Sequence, residues 1–152
     1  MDSLKRKESL GKPVLERFTR MKAILQAVRA RMDDELQPLG ITTSQLRMLW
    51  TVADNPGISG AKMARLCSVT PQSGQATMAM MEAQGWVRRR PREANHRVLL
   101  AELTGEGRRL LLKARAIAEV LDSSLWEGFD AEELAAVDAV LKAVVEKLER
   151  PL

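Results

Sequence analysis

Between Trp86 and Thr104 the chain reads Trp-Val-Arg-Arg-Arg-Pro-Arg-Glu-Ala-Asn-His-Arg-Val-Leu-Leu-Ala-Glu-Leu-Thr. Five arginines (Arg88, Arg89, Arg90, Arg92 and Arg97) and the single histidine, His96, crowd into this segment. Guanidinium groups are weakly hydrated planar forks that fit phosphate oxygens and base edges. At this density they suit a polyanion backbone or a narrow minor groove. The chemistry they offer is recognition, and little else in the chain offers catalysis. One Cys (Cys67) and one His cannot build a triad with a metal site, a disulfide framework or a Cys-based zinc site. No cofactor, metal site or catalytic residue is expected.

Charge distribution sharpens this reading. Residues 62–97 carry seven Lys/Arg against Glu82 and Glu93, whereas residues 102–150 carry seven against eleven Asp/Glu. The basic surplus sits mid-chain, as in a nucleic-acid footprint. Aromatics are 3% of the 152 residues, too few for stacking on single strands. No apolar run approaches the roughly 18 residues of a membrane span, so no membrane partner is expected. The polar, basic first dozen residues lack a secretory h-region and read as a mobile arm over 1–12. A lone cysteine suits a reducing cytoplasm.

The elements that must position the arginines follow from periodicity and caps. Trp86-Val87 and Val98–Leu103 are strand-formers, and Pro91 with Glu93-Ala94-Asn95-His96 reads as the turn between them. Alternation places some arginines on a plain solvent face, Arg89 among them. Upstream, Thr70-Pro71 starts a helix with a capping hydroxyl and proline at its first position, and Gly85 supplies its C-cap. Ser59 caps a shorter helix before it, with Ala61, Ala64 and Leu66 inward. Asp54-Asn55-Pro56-Gly57 is a turn. Thr43 is the expected N-cap of a helix carrying Leu46, Leu49, Trp50 and Ala53. The fold class is mainly α: a winged helix-turn-helix with a two-stranded β wing, plus helical ends.

Those ends carry apolar stripes. Val14, Phe18, Met21, Leu25, Val28, Met32 and Leu36 share one helical face, ended by Pro38 and Gly40. Leu110, Ala114, Ile117, Leu121 and Leu125 share another. Asp130 with Glu133 forms a capping-box pattern before Leu134, Val137, Leu141, Val144 and Leu148. Such stripes suit one intramolecular bundle or a dimer interface.

The order of elements, with Ser59–Leu66, Val69–Ser73, Met81–Val87 and Leu103–Gly107, resembles the MarR family of winged-helix transcriptional regulators over roughly residues 14–149. The resemblance implies a homodimer on pseudo-palindromic double-stranded DNA. A recognition helix enters the major groove and a wing lies beside the minor groove. It divides one domain, 1–152, into a DNA-binding lobe (43–104) and dimerisation helices (13–40 and 105–150). The DNA-contact candidates are Ser59, Thr70, Gln72, Ser73, Gln75, Arg88, Arg92, Asn95, His96 and Arg97. Many members release DNA on binding a small aromatic or phenolic effector. Between the first, second and fifth helices, Arg17, Met21, Trp50 and Arg109 are the candidates for such a pocket. Reactive cysteines in the family lie in the first helix, where this chain has none, so Cys67 reads as a packing residue. The Met78, Met80 and Met81 cluster reads likewise as adaptable packing.

The chain departs from the family pattern in three places. Asn95 stands where an Asp braces the minor-groove arginine, here Arg97, with Glu93 the nearby acidic alternative. Ala76 stands where many members have Arg. Gly74 replaces a helix former and is expected to let the backbone approach a phosphate. The leading function is a DNA-binding repressor tuned by an effector. The second reading, supported by Ala76 and Asn95, is a protein-interaction adaptor that has lost specific DNA reading.

Overall fold

The computed structural model describes residues 12–149. The arm expected over residues 1–12 lies outside them, apart from Lys12, where the first helix begins. The described residues fall into two compact units, one ending at Ile117 and one beginning at Ala118. The elements are α1 (Lys12–Leu36), α2 (Thr43–Asp54), β1 (Ile58–Ser59), α3 (Gly60–Leu66), α4 (Pro71–Ala83), β2 (Val87–Arg92), β3 (Asn95–Leu103), α5 (Gly105–Leu125) and α6 (Ala131–Glu149). No helix among the described residues is long and apolar enough to cross a membrane.

Caps set the helix starts. Thr42, one residue before the expected Thr43, is the N-cap of α2. Its hydroxyl accepts from the Gln45 N–H, and the Gln45 side chain accepts from the Thr42 N–H. The reason is Asp33 on α1, whose carboxylate accepts the Thr43 N–H at 2.6 Å and so satisfies a first-turn donor from outside the helix. Asp130 caps α6 as expected. Its carboxylate accepts from the N–H groups of Glu132 and Glu133, and Glu133 accepts from the Asp130 N–H.

The core of the first unit joins Leu36, Leu46, Leu49, Val52, Met63, Met78 and Met81. In α3 the buried positions are Gly60, Met63 and Ala64, followed by Cys67; Ala61 and Leu66 are exposed. With one short helix, the apolar pattern did not separate the two faces. Met63 is the residue that fills the core. Gly74 corrects another expectation. It is buried, and a Cβ there would lie 2.7 Å from the Ala64 Cβ. The glycine therefore lets α3 and α4 approach each other and is not presented to a phosphate.

The sheet has three antiparallel strands in the order β1-β3-β2, one more than the two-stranded wing. The turn Asn55-Pro56-Gly57 produces the extra strand. Pro56 supplies the fixed φ, Gly57 takes φ +79°, and the Ile58 N–H bonds the Asn55 carbonyl at 3.0 Å. Gly57 then donates to the Ala101 carbonyl, and Ile58 lies opposite Ala101.

Candidate nucleic-acid interface

The turn between α3 and α4 fixes the two helices. The Val69 N–H reaches the Ala64 carbonyl and the Ser68 N–H the Arg65 carbonyl, with Ser68 in the left-handed region at φ 54°. Thr70 then caps α4, its Oγ1 accepting the Ser73 N–H at 3.1 Å. Gln72 and Ser73 lie exposed in the first turn of α4, beside exposed Thr70. Gln75 is exposed, but its amide also lies over α3: a Cβ on Gly60 would meet its Nε2 at 2.9 Å. Ser59 is half-buried, and its hydroxyl accepts the Lys62 N–H at the start of α3.

The wing is a hairpin with a turn at Glu93-Ala94, shorter than the expected one; Pro91, Asn95 and His96 belong to strands. The register runs regularly from Val87 opposite Leu103 to Pro91 opposite Leu99, then jumps to Arg92 opposite Asn95. His96, Arg97 and Val98 thus have no opposite number on β2. Pro91 lacks the N–H that would continue the ladder, and the extra residues bulge there. Arg92, Asn95, His96 and Arg97 are all exposed at this tip. Arg92 and Arg97 have no ion-pair partner among the described residues. Asn95 does brace Arg97, but through the backbone: its Oδ1 accepts the Arg97 N–H at 3.1 Å.

The remaining wing arginines are tied down. Arg89, expected on a solvent face, has a side chain only 16% exposed and bonds Glu82 of α4 through Nε (2.8 Å) and Nη2 (2.5 Å). It shares a sheet face with buried Val87, which turns it toward α4. Arg88 and Arg90 lie on the other face and share Glu102 of β3, at 3.4 Å and 2.6 Å. Glu82 and Glu102 were not singled out from sequence. The strand register reveals Glu102, because Arg88 lies directly opposite it.

Arg89 holds the Glu82 carboxyl below the usual carboxylate range, chiefly by its hydrogen bond. A depressed carboxyl stabilises the fold above its ordinary pKa, and that contribution is lost as pH falls through the folded value. Glu82→Gln is therefore expected to lower the melting temperature at pH 7, with the difference from wild type shrinking as pH falls below the ordinary glutamate pKa and through the lower folded value. Because Glu82 is part-exposed, the loss should be no more than about 1 kcal/mol. A difference independent of pH would show that the carboxylate charge is not what ties α4 to the wing.

Beside the hairpin a cavity of about 660 Å³ opens, bounded by α2, the wing and the first half of α5. Trp50, Arg88, Glu102, Leu111, Arg108 and Arg115 are among its walls. Of the four pocket candidates only Trp50 lines it. Arg17 and Met21 are exposed on α1, and Arg109 pairs with Glu106 one turn along α5. Arg108, not Arg109, lines the cavity, a one-residue offset that periodicity alone does not resolve. Cys67 is buried, with its Sγ 3.3 Å from the Thr51 hydroxyl.

Residues 39–98, from just before α2 through the wing tip, match the model of the MarR family. The transcriptional repressor Rv2887 of Mycobacterium tuberculosis is 32% identical over 121 residues, spanning 80% of this chain and 84% of that protein. This chain belongs to the MarR family. The Escherichia coli transcriptional regulator HosA is 30% identical over 116 residues, covering 76% of this chain and 84% of its own. The MarR fold itself is seen in an E. coli MarR mutant complexed with operator DNA. That structure has a TM-score of 0.75 and 22% identity, covering 90% of this chain and 98% of that one. Rv2887 in complex with p-aminosalicylic acid gives a TM-score of 0.67 at 28% identity, covering 87% and 98%.

Proposed function

We propose that this chain is a homodimeric, sequence-specific double-stranded DNA-binding repressor that acts in the cytoplasm on a pseudo-palindromic operator. One observation carries the reading. The exposed first turn of α4, with Gln72 and Ser73, and the exposed wing tip, with Arg92 and Arg97, belong to one compact unit. The helix suits base edges in a major groove, and the bulged tip suits the adjacent minor groove or its phosphates. The related repressor Rv2887 and regulator HosA, and the similar fold of an E. coli MarR mutant bound to operator DNA, support it.

In this reading residues 43–104 form the DNA-binding lobe, while 13–40 and 105–150 join two protomers. The stripes support that role: Phe18 is 73% exposed and Leu148 80%, and no residue of α6 is buried. A small aromatic effector releases the DNA from the Trp50 cavity, a reading supported by the aminosalicylic acid complex of a relative.

Arg97→Ala tests the reading. It is expected to weaken binding on all duplexes and reduce the slope of log affinity against log salt by about one per lost phosphate contact. Fluorescence anisotropy over a salt series measures both. An unchanged affinity and slope would remove the wing from the mechanism and favour the adaptor reading.

Gln72→Ala is expected to relax specificity at one base step and to weaken the preferred site by about 1–3 kcal/mol. Selection of binding sites from random duplexes reads this directly. An unchanged site preference would take Gln72 out of the reading head.

A further inference from the structure

We propose that Glu102 is a switch carboxylate, coupling occupation of the Trp50 cavity by an organic anion to the positive charge the wing offers DNA. The inference rests on the effector reading above, and adds the charge of the ligand and the route by which its binding is felt.

The cavity presents the guanidinium groups of Arg88 and Arg108 against one carboxylate, Glu102, with Trp50 as an apolar wall. That balance favours a ligand with a flat apolar body and a negative charge. Glu102 serves two arginines at once. Its Oε1 holds Arg90 at 2.6 Å, and its Oε2 holds Arg88 at the longer 3.4 Å. By strand alternation Arg88 and Arg90 form a ladder on one face beside the cavity, and Arg92 follows toward the tip beyond the register shift. The carboxylate is the acidic group that ties this ladder to the cavity.

An anion in the cavity takes Arg88, the weaker-held partner and the one at its wall. Glu102 then has Arg90 alone to neutralise. The two guanidiniums of the ladder face two negative charges where they faced one. Their attraction for phosphate falls, and DNA binding weakens. Linkage makes the effect reciprocal: DNA phosphates drawing on the ladder weaken the anion equally.

The test uses the full chain, p-aminosalicylate as the probe and uncharged p-aminobenzamide as its control. Tryptophan fluorescence follows binding in the cavity, and Trp50→Phe assigns the signal. Anisotropy of a duplex selected for binding to the wild-type protein follows the coupling. In wild type the acid should quench Trp50 and weaken DNA binding about ten-fold, within the usual range of coupling between two sites, with a shallower salt dependence. The amide should do neither. Glu102→Gln, nearly isosteric, should still bind the acid, yet the acid should change its DNA affinity less than about two-fold. Equal weakening of wild type and Glu102→Gln would overturn the switch and leave the effector reading standing. Binding without any change in DNA affinity would overturn the switch as well. Quenching that survives Trp50→Phe would place the acid elsewhere, and no binding at all would remove the effector reading together with the switch.

Discussion

Gly107→Ala is expected to unfold much of the protein's margin of stability, with a loss of about 3 kcal/mol or more. The added Cβ would lie 2.1 Å from the Trp86 carbonyl oxygen and 3.0 Å from Leu103 Cδ2. Neither a rotamer change nor a small side-chain shift relieves a collision with backbone, so α5 must move. The same spot is tied by Thr104. Its hydroxyl donates to the Gly85 carbonyl at 2.5 Å and accepts the Gly107 N–H at 3.0 Å, while its own N–H bonds the Trp86 carbonyl. The start of α5 is thereby docked on the chain leaving α4. Urea unfolding of the purified variant measures the loss. A change within about 0.5 kcal/mol, the range of an ordinary surface substitution, would mean that the helix start yields freely.

Val144→Asp combined with Leu148→Asp is expected to abolish the proposed dimer. Val137, Leu141, Val145 and Leu148 are exposed on α6, and the two carboxylates would have to be desolvated in an apolar interface. A monomer engages one half-site only, so affinity for a two-half-site duplex should fall about a hundred-fold or more. Sedimentation reads the oligomer and anisotropy reads the DNA. A wild-type protein that sediments as a well-folded monomer at micromolar concentration and still binds DNA tightly would overturn the dimer assignment.

Local signals were legible in the sequence because local chemistry decides them. Thr70 with Pro71, Ser59, the Asp130–Glu133 box and Pro56-Gly57 each satisfy or redirect backbone groups within a few residues. What the sequence did not reveal depends on a partner far along the chain. Thr42 displaces Thr43 as a cap because Asp33 serves the Thr43 amide. Gly74 is small because Ala64 lies against it. Arg89 turns inward because Glu82 is waiting on α4, and Arg88 and Arg90 share a carboxylate twelve or more residues away. The candidate site was thus readable as a set of residue types. Its division into tethered arginines and open ones was not.

The sheet order leaves β2 as an outer strand, with β3 at the centre. An outer strand offers unpaired backbone groups to any other strand that drifts alongside, the usual route to aggregation. In β2 that hazard meets four like charges and Pro91, which removes one donor outright. The wing's composition therefore keeps free protein from self-associating through this edge while it awaits a polyanion. Stripping the arginines together would remove that protection along with the recognition chemistry.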